Sequence, residues 1–164
     1  MTLASPRPIS DADQLSGFDS GVAALDDWLI RRARANQASG GSRTYVLCDD
    51  DRVIAYYALA SGAIDPREAT GRLRRNIPDP IPAVVLSRLA IDRGWRKKGL
   101  GRALVKDAFL RVLHAAEAIG VRGVLVQAVS PEAAAFYRAV GFAPSPLDPM
   151  TLMAPLADLR AALE

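Results

Sequence analysis

The sequence predicts a mixed α/β fold, and three observations carry that prediction. Leu104, Val105, Ala108, Phe109, Val112, Leu113 and Ala116 recur at helical spacing and give one apolar stripe. Two apolar, β-rich runs, Ala83 to Ile91 and Gly123 to Val129, flank that helix in sequence and read as buried strands. Thr44 to Asp49 and Arg52 to Ala60 form a further pair of strands, a hairpin around Asp49-Asp50-Asp51.

In chain order, Leu3 to Ile9 reads as a first strand. Val22, Leu25, Trp28, Leu29 and Ala33 form the stripe of a helix that Asp19 or Ser20 would cap. The hairpin follows. Asp65 to Pro82 is polar and proline-bearing, which predicts irregular chain with a helical turn near Glu68. Pro82 stands at the entrance of the strand from Ala83, and Asp92-Arg93-Gly94 begins a turn. Arg102 starts the long helix. Lys106, Asp107, Arg111, His114 and Glu117 fall on its polar face, and Gly120 is a C-terminal stop. A short helix holds Phe136-Tyr137. Thr151 to Ala154 is a last strand, and Leu156, Leu159 and Leu163 mark a brief C-terminal helix. With no linker, repeat or low-complexity tract, the 164 residues read as one domain.

Composition sets bounds. Half the residues are hydrophobic, yet no apolar run approaches transmembrane length. Met1 to Pro6 lacks the basic and apolar regions of a secretory signal. The lone cysteine, Cys48, excludes an intramolecular disulfide framework and reads as a small core residue. The cytoplasm, with no membrane contact, is the expected compartment. The net charge of +3 is modest but clustered. Arg31, Arg32 and Arg34 lie on the first helix. Arg72, Arg74 and Arg75 crowd a loop before Pro78 and Pro80. Arg93, Arg96, Lys97, Lys98 and Arg102 surround a glycine loop. Such clusters can neutralise an RNA backbone or the phosphates of a small ligand.

That loop, Arg-Lys-Lys-Gly-Leu-Gly at residues 96–101, is the most informative stretch. It sets backbone N–H donors at a helix N-terminus, where partial positive charge favours phosphate, and glycine lets a ligand come close. The strand-loop-helix unit is built to hold a pyrophosphate. Two nucleotide-binding readings fail. A Walker loop needs Gly-Lys followed by Ser or Thr, and the chain has Gly-Leu-Gly-Arg. A dinucleotide fingerprint needs a third glycine, where Leu104 stands, and an acidic residue, which Gly123 to Val129 lacks.

A third reading fits. The Arg-x-x-Gly-x-Gly loop after a strand, the helix, a second buried strand, and Phe136-Tyr137 followed by Gly141-Phe142 resemble the GNAT acyltransferases from about Thr44 to Met153. Phe18-Asp19-Ser20-Gly21, then Leu25, Trp28 and Leu29, and Gln37-Ala38-Ser39-Gly40 narrow this. With the ending from Pro144 to Leu152, they are similar to the GNAT toxins of bacterial toxin–antitoxin pairs. Family members usually have Cys where Ser20 stands. The resemblance implies the GNAT fold, a central mixed, mostly antiparallel sheet splayed at the cofactor site and flanked by helices. It implies acetyl-CoA as co-substrate, no metal, and acetylation of the α-amino group of aminoacyl-tRNA, which blocks translation. The implied partner is a ribbon-helix-helix antitoxin, with operator DNA reached only through the antitoxin complex. A homodimer is also implied.

The same resemblance assigns sites. The pantetheine arm bonds to the backbone of Leu89, Ala90 and Ile91, where the strand Leu86 to Asp92 splays from Val124 to Val129. The pyrophosphate sits on Arg96, Lys97, Lys98, Gly99, Leu100 and Gly101, with Arg102 beside them. Arg96 and Lys98 add charge-assisted bonds. Tyr137 takes the position of the general acid. A phenol with a pKa of about 10 is protonated at neutral pH and can donate to a leaving thiolate. The alternative is a tyrosine that packs with its hydroxyl bonded. Phe136 reads as core. Arg72, Arg74, Arg75 and Arg93 are candidate tRNA contacts, while Arg31, Arg32 and Arg34 suit a solvated face equally well.

No base stands out. The cofactor-side strand carries no Glu, Asp92 lies at its end, and His114 reads as a surface histidine. An α-amine is about one-tenth neutral at neutral pH, a lysine less than about a thousandth, so a site without a base suits an α-amine. Two other functions stay open. A GNAT enzyme for a small amine or a protein N-terminus would need an acidic pocket for polyamines or aminoglycosides. A non-catalytic module binding antitoxin and operator DNA would not need the phosphate loop together with Tyr137.

Overall fold

The computed structural model describes residues 3–75 and 78–163. Among the described residues, seven strands, β1 (Arg7–Pro8), β2 (Arg43–Asp49), β3 (Arg52–Ile64), β4 (Ile81–Ile91), β5 (Gly123–Gln127), β6 (Ala143–Pro144) and β7 (Thr151–Pro155), hydrogen-bond in the order β1-β2-β3-β4-β5-β7-β6, mostly antiparallel, with six α-helices. The chain divides into two compact units, Met1–Ala60 with Ser87–Asp107, and Ser61–Leu86 with Ala108–Glu164. Strands β3 (Arg52–Ile64) and β4 (Ile81–Ile91) and helix α4 (Leu100–Ala116) each contribute residues to both.

The first unit opens with β1 (Arg7–Pro8), paired antiparallel to β2 (Arg43–Asp49). The first strand is shorter than Leu3 to Ile9 because Pro6 and Pro8 have no N–H to donate to a ladder. The hairpin forms as expected, its strands joined by Asp50 and Asp51. Asp50 takes a left-handed φ of 53°, which aspartate tolerates. The predicted first helix is two, α1 (Ala23–Arg31) and α2 (Ala33–Ser39). Neither Asp19 nor Ser20 caps α1. Its N-cap is Val22, with no side-chain cap bond. Ser20 instead donates its hydroxyl (2.6 Å) and its N–H (3.1 Å) to Asp26. Leu25, Leu29 and Phe18 pack with Val46, Val53, Tyr56 and Ala90 in one core cluster. The Tyr56 hydroxyl closes it with a 2.6 Å bond to the Leu25 carbonyl.

Cys48 packs against the edge of this cluster, half-buried rather than fully enclosed. Arg34 is not a solvated charge. Its guanidinium donates to the carbonyls of Ser10, Asp11 and Asp13, stapling the N-terminal segment.

In the second unit β4 pairs parallel with β5 (Gly123–Gln127), from Ala83↔Gly123 to Leu86↔Val126. β7 (Thr151–Pro155) pairs antiparallel with β5 and with β6 (Ala143–Pro144). Gly123 is obligatory, since a Cβ there would stand 2.3 Å from the Ala154 carbonyl oxygen. The expected turn forms at Asp65–Glu68 (Glu68 N–H to Asp65 O, 2.9 Å), and a short helix α3 (Gly71–Arg74) follows it. Asn76 and Ile77 of that stretch lie outside the described residues. Helix α4 begins two residues before Arg102, and it ends at Ala116, so Gly120 is not its stop. Strand β5 ends at Gln127, leaving Val129 exposed. Helix α5 (Pro131–Ala139) is set by Ser130, which accepts the Ala133 N–H at 3.1 Å, and by Pro131 in the first turn. The C-terminal helix α6 spans Leu156–Ala162.

Candidate active site

The first unit holds Leu89, Ala90, Ile91, Arg93 and residues 96–102. The second holds Tyr137, Arg72, Arg74 and Arg75. Ser87 to Ile91 of β4 lie past the last β5 pair, at Leu86↔Val126, so β4 outruns its parallel neighbour.

The loop has an unusual backbone. Lys97 (φ 60°) and Gly99 (φ 79°) are both left-handed. Alternation of this kind curls successive N–H groups into an anion-binding concavity. Lysine rarely adopts such a φ, and outliers of this type persist where their surroundings hold them. Among the described residues, the N–H groups of Lys97 through Arg102 have no hydrogen-bond acceptor. The side chains of Lys97, Lys98 and Arg102 are exposed and make no ion pair with a described residue. This donor set fits a pyrophosphate: many unpaired N–H groups, a helix N-terminus and three free cations.

Arg93 and Arg96 differ. Arg93 Nε lies 3.2 Å from the Asp19 carboxylate, and Arg96 donates to the Ser20 carbonyl. Asp92, expected at the end of a strand and the start of a turn, is buried and accepts from three donors, the N–H groups of Gly94 (3.0 Å) and Asp19 (3.1 Å) and Arg52 Nη2 (3.3 Å). It is therefore not a free base. His114 is exposed on α4, as expected.

Tyr137 sits in α5 with only 6% of its surface exposed. Its ring meets Phe136 (5.4 Å) and Phe142 (5.5 Å) edge to face, and Phe142 in turn meets Phe109 (5.6 Å). Gly141, at φ 117°, makes the turn that brings Phe142 back. Phe136 itself is half-buried rather than core. The Tyr137 hydroxyl has no hydrogen-bond partner among the described residues, and it is not among the unpartnered side-chain oxygens sealed from solvent, which are Ser42 Oγ and Thr44 Oγ1. A packed ring with an unbonded, reachable hydroxyl could donate a proton. Burial pushes its pKa up to about 12, so it stays protonated.

The other basic cluster is largely occupied. Arg72 pairs with Asp158. Arg74 donates to the carbonyls of Pro66, Arg67 and Ala69. Arg75 is exposed, and its side chain has no partner among the described residues.

Residues 40–144 match the family described as the acetyltransferase (GNAT) domain. The chain belongs to the GNAT acetyltransferase family. Over 159 residues, covering 97% of this chain and 96% of the relative, this GNAT protein is 50% identical to a tRNA-acetylating toxin of Mycobacterium tuberculosis (strain ATCC 25618 / H37Rv). It is similar to the structure of AtaT complexed with acetyl-methionyl-tRNAfMet, with TM-score 0.89 and 28% identity, over 99% of this chain and 100% of that one. It is also similar to a tyrosine-to-phenylalanine mutant of the toxin AtaT bound to the C-terminus of the antitoxin AtaR and acetyl-CoA. That match has TM-score 0.83 and 29% identity, over 98% and 97% of the two chains.

The toxin-like segments have local explanations in the structure. Phe18 is core, and Asp19 to Gly21 is bonded to Asp92, Arg93 and Arg96. Ser20 is a hydroxyl donor to Asp26, a role a thiol would fill more weakly. Asp148 accepts the Met150 N–H and the Thr151 hydroxyl, shaping the entry to β7. Sequence reasoning missed Asp92 as a hub. The signal was present: an aspartate two residues before a glycine at a strand end is an Asx-turn pattern.

Proposed function

We propose that this chain is an acetyl-CoA-dependent N-acetyltransferase toxin that acetylates the α-amino group of aminoacyl-tRNA and blocks translation. The similarity to a tRNA-acetylating toxin at 50% identity over 97% of the chain carries this reading. Acetyl-CoA supplies the acetyl group as a thioester. The backbone of Leu89, Ala90 and Ile91 holds its pantetheine arm, and the N–H groups from Arg96 to Gly101 hold its pyrophosphate, with Lys97, Lys98 and Arg102 adding charge.

The α-amine is neutral often enough at neutral pH to attack without a dedicated base. As the new C–N bond forms and the C–S bond breaks, Tyr137 gives its proton to the departing sulfur, and the amine's proton leaves to solvent. The unbonded hydroxyl of Tyr137 supports this role. Of the four candidate tRNA contacts, Arg75 is a cation without a side-chain partner among the described residues, whereas Arg72, Arg74 and Arg93 are braced by protein groups. A ribbon-helix-helix antitoxin silences the toxin, operator DNA is met only through that complex, and the enzyme works in the cytoplasm as a homodimer.

Labelled acetyl-CoA with charged and uncharged tRNA, and Tyr137→Phe alongside, tests this. Label on charged tRNA alone, and with wild type alone, is the expected result. Cofactor turnover without labelled tRNA would move the substrate to a small amine or a protein N-terminus.

A further inference from the structure

Two segments of the first unit are stitched together by contacts that the reaction does not require. Asp92, 6% exposed, accepts from Gly94 on its own turn, from the Asp19 N–H and from Arg52 of β3. Its own N–H donates to the Ile54 carbonyl at 2.8 Å, fixing it to the sheet. The segment 19–21 answers from the other side. The Asp19 carbonyl accepts the Arg93 N–H at 2.9 Å, the Asp19 carboxylate lies 3.2 Å from Arg93 Nε, and the Ser20 carbonyl accepts Arg96. Gly21 completes the fit. Its φ is +88°, and a Cβ there would stand 3.0 Å from Arg96 Nη2 and 3.2 Å from Arg93. Immediately downstream lies Lys97, in a conformation lysine does not choose by itself.

We infer that Asp92 and the Asp19–Gly21 segment are the positioning device of the phosphate loop, and that Arg96 anchors this device rather than contacting phosphate. The inference rests on the loop being the pyrophosphate site. Asp92 is the node through which sheet, N-terminal segment and loop are held in register. Arg96 ties the residue next to Lys97 back to Ser20. Backbone donors grip a phosphate only when several point at it together, so a loosened anchor weakens binding without touching the ligand. Tyr137 lies outside this device, so proton delivery is unaffected.

Calorimetry of CoA binding, with transfer kinetics on acetyl-CoA and on acetyl-pantetheine, which lacks the pyrophosphate, tests the inference. Asp92→Asn, which removes the charge and one acceptor, should weaken CoA binding about tenfold, the scale of losing one charged hydrogen bond. Gly21→Ala should do the same more mildly. In both, KM for acetyl-pantetheine and kcat at saturating acetyl-CoA should stay within about twofold of wild type. A general loss of structure would instead lower turnover with both donors. Arg96→Ala should weaken CoA binding while keeping its wild-type salt dependence, whereas a direct phosphate contact would flatten that dependence. Should Asp92→Asn not fold, Gly21→Ala, at an exposed residue, carries the test.

Unchanged CoA affinity in folded Asp92→Asn and Gly21→Ala overturns the inference. So do equal losses with both donors. Gly99→Glu separates the two readings. If it keeps CoA affinity, the loop itself is misassigned. If it loses CoA while Asp92→Asn and Gly21→Ala do not, only the positioning role fails.

Discussion

Two of the three basic stretches of this chain look alike as sequence and differ as structure. Residues 72–75 and 96–102 each crowd positive charge beside a short helix or a helix start. In the first, Arg72 is paired with Asp158 and Arg74 is wrapped around three carbonyls. In the second, Lys97, Lys98 and Arg102 are unpaired among the described residues, beside a row of unpaired N–H groups. The first is mostly a brace, and the second is the surface we propose for the pyrophosphate. Lys97 and Gly99 are left-handed in the second, whereas in the first Arg72 reaches Asp158 of α6 and Arg74 reaches carbonyls of the turn before α3.

That contrast can be broken, and the largest effect tests it most sharply. Gly99→Glu places a side chain at φ +79° and a carboxylate among the N–H donors. Strain and repulsion together should cost on the order of a hundredfold or more in acetyl-CoA affinity, read by calorimetry. Retained affinity would mean the loop is no binding surface. Tyr137→Phe comes next. Transfer should fall by about a hundredfold, the lower range for losing a general acid, with the fold and acetyl-CoA affinity kept. Equal rates for the two proteins would remove Tyr137 from the mechanism.

The pH profile sharpens the same point. Because burial raises the Tyr137 pKa to about 12, the acid stays protonated across the working range. The rate should climb as the α-amine loses its proton and show no alkaline fall up to about pH 10. A fall near pH 8 would assign the acid to another group. The linked stability has a definite sign. Folding favours the neutral phenol, so this contribution is complete below about pH 10 and declines as pH rises towards 12.

Smaller effects separate the two basic regions directly. Lys97→Ala with Lys98→Ala should weaken acetyl-CoA binding several-fold, more at low salt than at high, because both charges are exposed. Arg72→Ala should change stability by no more than about 1 kcal/mol, since its ion pair faces solvent. Its KM for charged tRNA should stay within about twofold, while Arg75→Ala raises that KM. If Arg72→Ala weakens tRNA without altering thermal unfolding, the brace is a tRNA contact after all.

Several elements were legible because their signals are local. The α4 stripe, the two-residue hairpin turn and the glycine pattern of the loop each arise within a few residues. Residues Leu104, Val105, Ala108, Phe109 and Val112 are buried as their spacing requires. The errors were local choices overridden by neighbours. Ser20 looked like a cap, but Asp26 claims its hydroxyl. Gly120 looked like a stop, but α4 ends at Ala116. Helix α3 was missed because its four residues carry too little pattern to register.

The sequence by itself determined the fold class, the family resemblance, the candidate phosphate loop and Tyr137 as the candidate acid. Each depends on residue type at fixed spacing: glycine for a left-handed turn, a phenol for a protonated donor. Only the tertiary structure decided which charges are free. It paired Arg72 with Asp158, Arg34 with three carbonyls of the N-terminal segment, and Arg96 with Ser20. It also left the Tyr137 hydroxyl without a partner among the described residues. A guanidinium reaches acceptors from residues distant in sequence, so its occupancy follows from how the chain packs and cannot be read from a run of charges.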